Sequence, residues 1–160
     1  MLIQGILVYD IVLTVHILAV VLAFGVTFAY PVLDAYVRKS SPGDLVTLHR
    51  FQVVLTQRLI QPAMVVVLLA GLYLALDRYD LGKPWISAAF AILIVMFGLA
   101  GAVFTPSEKN LVVLAERDRQ SGSGPSPEYE AQARRLAIFG SVWLLLVIAA
   151  IFVMTVKPGA

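Results

Sequence analysis

His16, Gln57, Arg58 and Gln61 carry the most chemical potential in this chain, because each lies in or beside a stretch otherwise poor in polar groups. His16 sits within residues 11–33, which contain no Asp, Glu, Lys or Arg. An imidazole in that setting ligates haem iron or a metal, carries a proton, or stays neutral and bonds to a neighbouring helix. Helical spacing puts Ala19 and Ala23 on the same face. These small residues leave room for another helix or a flat ligand, so His16 is a candidate ligand for haem b. Gln57 and Gln61 are one helical turn apart, with Arg58 beside them. An inward-facing guanidinium with two amides would hold an anionic group such as a carboxylate or a haem propionate. An outward-facing Arg58 would instead reach lipid phosphate.

His49 is the only other histidine. It precedes the second apolar stretch, and at 1.5 Å per residue it lies roughly 35 Å in depth from His16. The two rings therefore cannot share one iron, and His49 is expected at the headgroup level or in solvent. Met96 and Met154 are the remaining candidates opposite His16. No cysteine is present, which removes disulfides, thiolate metal sites and covalent haem attachment. No metal-ligand cluster is expected. Asp10, Asp77 and Asp80 are read as solvated charges at one membrane face. No phosphate-binding loop or nucleophile elbow occurs, and no charge-free stretch holds the acid expected of a proton-driven transporter.

The elements that must position these residues are transmembrane helices. The sequence is 60% hydrophobic and 14% charged, against about 25% charged in soluble domains. Stretches 11–33, 59–76, 84–107 and 136–156 lack charge, and each approaches the roughly 20 residues that cross a bilayer as a helix. The expected fold is all-α, a single domain over 1–160, with four antiparallel spans at about 8–33, 57–77, 84–106 and 136–157. Of the 12 Lys and Arg residues, nine lie between stretches 11–33 and 59–76 or between 84–107 and 136–156. The positive-inside rule then predicts that both long connections are cytoplasmic and both termini outside. A net charge of +2 argues for no nucleic-acid partner. Gly98, Gly101 and Ala102 form a small-residue stripe suited to packing within the bundle, on a second copy or on a larger complex. Trp85, Tyr79 and Tyr73 read as interfacial anchors.

The connections are expected to be helical. Thr105-Pro106-Ser107-Glu108 has the form of a capping box, Ser41-Pro42-Gly43-Asp44 resembles it, and Ser126-Pro127-Glu128 gives a third start. Spans two and four should thus begin below the membrane, near Pro42 and Pro127. The matched positions of Pro31 with Pro106 and Pro42 with Pro127 suggest a parallel repeat of two hairpins.

Residues 9–25, YDIVLTVHILAVVLAFG, resemble the first helix of the bacterial integral membrane proteins grouped as domain of unknown function 2269. Gln61-Pro62-Ala63, the Trp85 entry to span three and the ending Val156-Lys157-Pro158-Gly159 resemble the same family. The resemblance implies a multi-pass protein of the bacterial cytoplasmic membrane and assigns no activity. A more distant similarity links the chain to the four-helix protoporphyrinogen oxidase and copper-resistance D families. The first has a first-helix histidine, which would correspond to His16. Its helix-three histidine and lysine are absent from Trp85-Ile86-Ser87-Ala88-Ala89, and Arg58-Leu59-Ile60-Gln61-Pro62-Ala63 is spaced differently from its counterpart. The functional expectation is a non-catalytic or accessory membrane subunit. The alternatives are a haem- or quinone-associated redox protein using His16 and, behind it, a small-molecule or metal transporter.

Overall fold

The computed structural model describes residues 2–79 and 81–159, with side chains from residue 7 onward. Asp80 lies outside the described residues. Seven α-helices are joined into four long rods, and no strand occurs among the described residues. Rod one is α1 (Leu2–Phe24), a 3₁₀ stretch (Gly25–Ala29) and α2 (Tyr30–Ser40). Rod two is α3 (Leu45–Leu55), a π-turn (Thr56–Ile60) and α4 (Gln61–Arg78). Rod three is α5 (Pro84–Leu99), a π-turn (Ala100–Phe104) and α6 (Thr105–Ser121). Rod four is the unbroken α7 (Pro127–Val156). Each rod is long and apolar enough to cross a membrane. The chain is therefore an all-α polytopic membrane bundle. Rod three has 38 residues, about 57 Å of helix, so it extends well beyond about 30 Å of hydrocarbon. The connections after rods one and three lie at one end, here called the basic end; the chain termini lie at the other.

Prolines explain where the rods change register. Pro31, Pro62 and Pro106 each follow an irregular turn. Proline has no N–H, and its ring clashes with the carbonyl four residues back. Rods two and three absorb this by widening a turn before the proline: Gln61 N–H donates to the Thr56 carbonyl and Thr105 N–H to the Ala100 carbonyl. Thr105 was expected to cap a new helix. Instead its hydroxyl donates to the Ala100 carbonyl at 2.8 Å and the rod runs on. The predicted start near Pro127 is present, and Ser126 accepts from the Tyr129 N–H at 3.2 Å. Near Pro42 a short 3₁₀ turn leads into α3 with no side-chain cap.

The rods pack in chain order. α1 lies on α4, α3 on α6, and α5 and α6 on α7. Ala19 and Ala23 of α1 meet Met64 and Val67 of α4 in the central core, which Met96, Trp143 and Val147 complete. A second core at the basic end joins Leu45 and Leu48 to Leu111, Leu114 and Tyr129. Rod one and rod four are neighbours with little packing between them. α2 has no buried residue at all.

Candidate functional site: a cavity at the α2–α7 seam

Where α2 and α7 stand apart, they enclose a cavity of about 230 Å³. The register breaks supply one part of its wall: Thr27, Thr56, Ile60, Ala100 and Phe104 all line it. α2 contributes Tyr30, Pro31, Asp34 and Arg38; α7 contributes Ala137, Gly140, Ser141 and Trp143. Gly140 leaves the α7 side open, since a Cβ there would meet no atom within 4 Å. The rings of Phe24 and Trp143, with centroids 6.0 Å apart, bridge rods one and four above the cavity. Phe104 packs edge-on against Trp143 at 5.3 Å.

Three buried polar atoms in this wall have no hydrogen-bond partner: Tyr30 Oη, Trp143 Nε1 and Glu108 Oε2. Native proteins leave few such groups unpaired, because each costs about 1–3 kcal/mol. Glu108 is 4% exposed. Its other oxygen accepts from the Thr56 hydroxyl at 3.1 Å. Glu108 follows the charge-free stretch 84–107, and burial pushes its carboxyl up to about 7, with the Thr56 bond acting in the opposite direction. Tyr30 stands beside this pair.

Below the cavity a chain of hydrogen bonds closes the basic end. Arg38 donates from Nε to Asp34 at 2.6 Å and from Nη1 to both Glu130 oxygens at 2.9 Å. Its Nη2 reaches the Tyr129 hydroxyl at 3.4 Å. Tyr129 Oη and His49 Nε2 are 2.7 Å apart, and His49 Nδ1 and Gln52 Oε1 are 2.8 Å apart. The Gln52 carbonyl only accepts, which assigns the proton to Nδ1 and makes Tyr129 the donor to Nε2. Burial favours the neutral form of both groups: it pushes His49 down and Tyr129 up to about 12.

His49 is therefore not solvated, one of the two settings that the sequence suggested. It is 2% exposed and bonded at both nitrogens. Its position before the apolar stretch set its depth, but α3 is buried there against α6. The proposed anion cluster is not assembled. Gln57 and Arg58 are exposed, and Gln61 donates to Thr105 Oγ1 at 3.0 Å, tying the two π-turns together. The π-turn sets the phase, so Thr56 and Ile60 face inward instead. His16 is 7% exposed and lies on Gly71 of α4, where a Cβ would stand 3.1 Å from its Cε1. Nδ1 of that ring has no partner, and His16 does not line the cavity. Gly98, Gly101 and Ala102 are exposed. Trp85 is 8% exposed and edge-on to Tyr79, buried rather than spread along a lipid boundary. Among the described residues no cluster of three or more metal-ligating side chains is present.

Sequence reasoning missed the roles of Glu108, Tyr30 and Trp143. Glu108 was assigned to a cap, and Tyr30 and Trp143 are hard to distinguish from ordinary interfacial aromatics.

The fold and the cavity together define a four-helix membrane protein with a polar recess set into its apolar body. The chain belongs to the DUF2269 family of predicted integral membrane proteins, whose family model matches residues 10–158. Neither a curated protein nor a solved structure matches it.

Proposed function

We propose that this protein is a non-catalytic membrane binding protein that takes an amphipathic small molecule into the α2–α7 cavity. The observation that carries this reading is a recess whose wall includes three residues with an unpartnered polar atom, Tyr30, Trp143 and Glu108, beside the polar side chains of Asp34, Arg38 and Gln52. Apolar voids in proteins stay dry, whereas polar ones take up water or a ligand. An opening on the side of Pro31 and Gly140, where a Cβ on Gly140 would meet open space, would give a molecule dissolved in the bilayer a short route inward. A non-catalytic role is supported by His49, whose two ring nitrogens are both engaged. The basic end is read as cytoplasmic, because it holds most of the Lys and Arg residues. Haem b at His16 is not the reading adopted, since Gly71 fills the space on one side of the ring. An accessory role in a larger complex, through the exposed Gly98, Gly101 and Ala102, is compatible with cavity binding.

The test uses Trp143 as reporter. The chain has two tryptophans, so Trp85→Phe leaves Trp143 alone. In maltoside micelles, 8-bromooctanol should quench Trp143 fluorescence saturably. Gly140→Leu, which projects into the open flank, should remove the saturable part. Quenching that rises linearly and equally in both proteins would sink the cavity reading.

A further inference from the structure

The chemistry of the cavity wall narrows the class of ligand. Two carboxylates line it, Asp34 and Glu108, and Arg38 is the one Lys or Arg among its lining residues. Arg38 is already held by Asp34 and by Glu130 from α7. No lining cation is therefore free for an anionic head. The acidic group with spare capacity is Glu108, whose Oε2 is buried and unpartnered. The same cavity is lined by the rings of Tyr30, Phe104 and Trp143. A buried carboxylate among aromatic rings is a favourable setting for an organic cation, which gains both ion pairing and attraction to the ring faces. The free donors, Tyr30 Oη–H and Trp143 Nε1–H, are spared for an oxygen next to the charged head.

We propose that the cavity binds the ammonium head of a hydrophobic amine, with Glu108 as its counter-ion and the amine's chain leaving through the α2–α7 flank. This rests on the cavity being a binding site at all. The exchange balances as follows: protonated Glu108 releases its proton to solvent, and the resulting carboxylate pairs with the incoming ammonium. Amine and proton thus compete for one carboxyl group. The titratable and charged groups around Glu108 in the cavity are Tyr30, Asp34 and Arg38 from α2 and His49 from α3. α7 places none in the lining, and His49 stays neutral in its bonds to Gln52 and Tyr129. Glu108 is thus the cavity group whose carboxyl titrates near neutrality.

The experiment compares three probes of one chain length, 8-bromooctylammonium, 8-bromooctanol and 8-bromooctanoate, by quenching of Trp143 in the full-length Trp85→Phe protein. At pH 8.5 the ammonium should bind at least tenfold more tightly than the other two. At pH 6 it should bind about tenfold more weakly than at pH 8.5, because roughly nine-tenths of a carboxyl with its pKa near 7 is then protonated. Glu108→Gln should remove this preference and keep the binding of 8-bromooctanol, which reports an intact cavity. A second measurement needs no variant at Glu108: in weak buffer at pH 7, the ammonium should release protons from the protein and the alcohol none. Saturable binding with no preference among the three heads would overturn the amine assignment and leave the cavity reading standing. So would an unchanged ammonium preference in Glu108→Gln, or binding without proton release. Absence of saturable quenching by every probe would overturn both.

Discussion

Rod one has two seams, and they treat a buried polar group in opposite ways. Against α4, His16 is pressed onto Gly71, and small residues close the space around the ring. Against α7, Tyr30, Trp143 and Glu108 border a void. Both seams hold unpartnered polar atoms, yet only the second has room for a molecule to supply the partner. An orphaned polar group beside a packed glycine is a feature of helix assembly. The same orphan beside a recess is a recognition feature. The residue opposite, rather than the polar residue itself, makes the difference.

Filling the tight seam should have the largest effect. Gly71→Val places a side chain where even a Cβ comes within 3.1 Å of His16. Overpacking of this kind costs about 1–3 kcal/mol, so the thermal midpoint in detergent should fall by roughly 5–10 °C. Adding His16→Ala should recover most of the loss, because the two residues share one space. A double variant no more stable than Gly71→Val would show that the seam is not set by this contact.

Next in size is the hydrogen-bond chain beneath the cavity. Tyr129→Phe removes the donor to His49 Nε2 and leaves that nitrogen buried without a partner. The expected cost is about 1–3 kcal/mol, measured as a lower thermal midpoint. An unchanged midpoint would mean that the Arg38 contacts to Asp34 and Glu130 close the end without help.

Glu108 gives a smaller, pH-dependent effect. Its carboxyl is raised from 4.5 to about 7, so the folded protein holds the proton more tightly than the unfolded chain. The stability it confers is complete below pH 4.5 and is lost as pH rises towards 7. Glu108→Gln cannot lose a proton there. The wild-type midpoint should therefore fall relative to the variant by about 5 °C between pH 5 and pH 8. Parallel curves would remove Glu108 from the list of titrating groups. The smallest effect is expected at Gly140, where a side chain meets open space. Gly140→Leu should shift the midpoint by under about 2 °C while abolishing ligand quenching; a large loss of stability would mean that the flank is closed by packing.

The four helices were legible because length and charge-free composition are enough to specify a span. The helical connections were legible for a local reason: Ser126 and Pro127 provide a start at the residue level. Thr105-Pro106 is likewise a hydroxyl residue before proline and has a different outcome. Within a continuous rod, a widened turn removes the proline clash without ending the helix, and nothing in the four residues reveals which solution is taken. Facing was the hardest property to read. A helical wheel assumes one phase along the rod, and the π-turn at Thr56–Ile60 changes it, so Gln57 and Arg58 turn outward. Glu108, His49 and Tyr129 lie beyond the apolar stretches, where sequence alone suggests water. The rods continue past the membrane and pack there, and those three residues are buried.

The 3₁₀ stretch at Gly25–Ala29 bears on how quickly the recess exchanges its contents. α2 hangs from it with no buried residue of its own. At its far end Arg38 ties it to α7 through Glu130 and Tyr129. Mechanically this is a lever with a soft joint at one end and a latch at the other. Swinging it outward breaks the latch and lifts Val37 off the second core, while moving α7 would tear it from α5 and α6. The latch is the part of this cost that salt can weaken, so a bound molecule's dwell time should shorten as ionic strength rises.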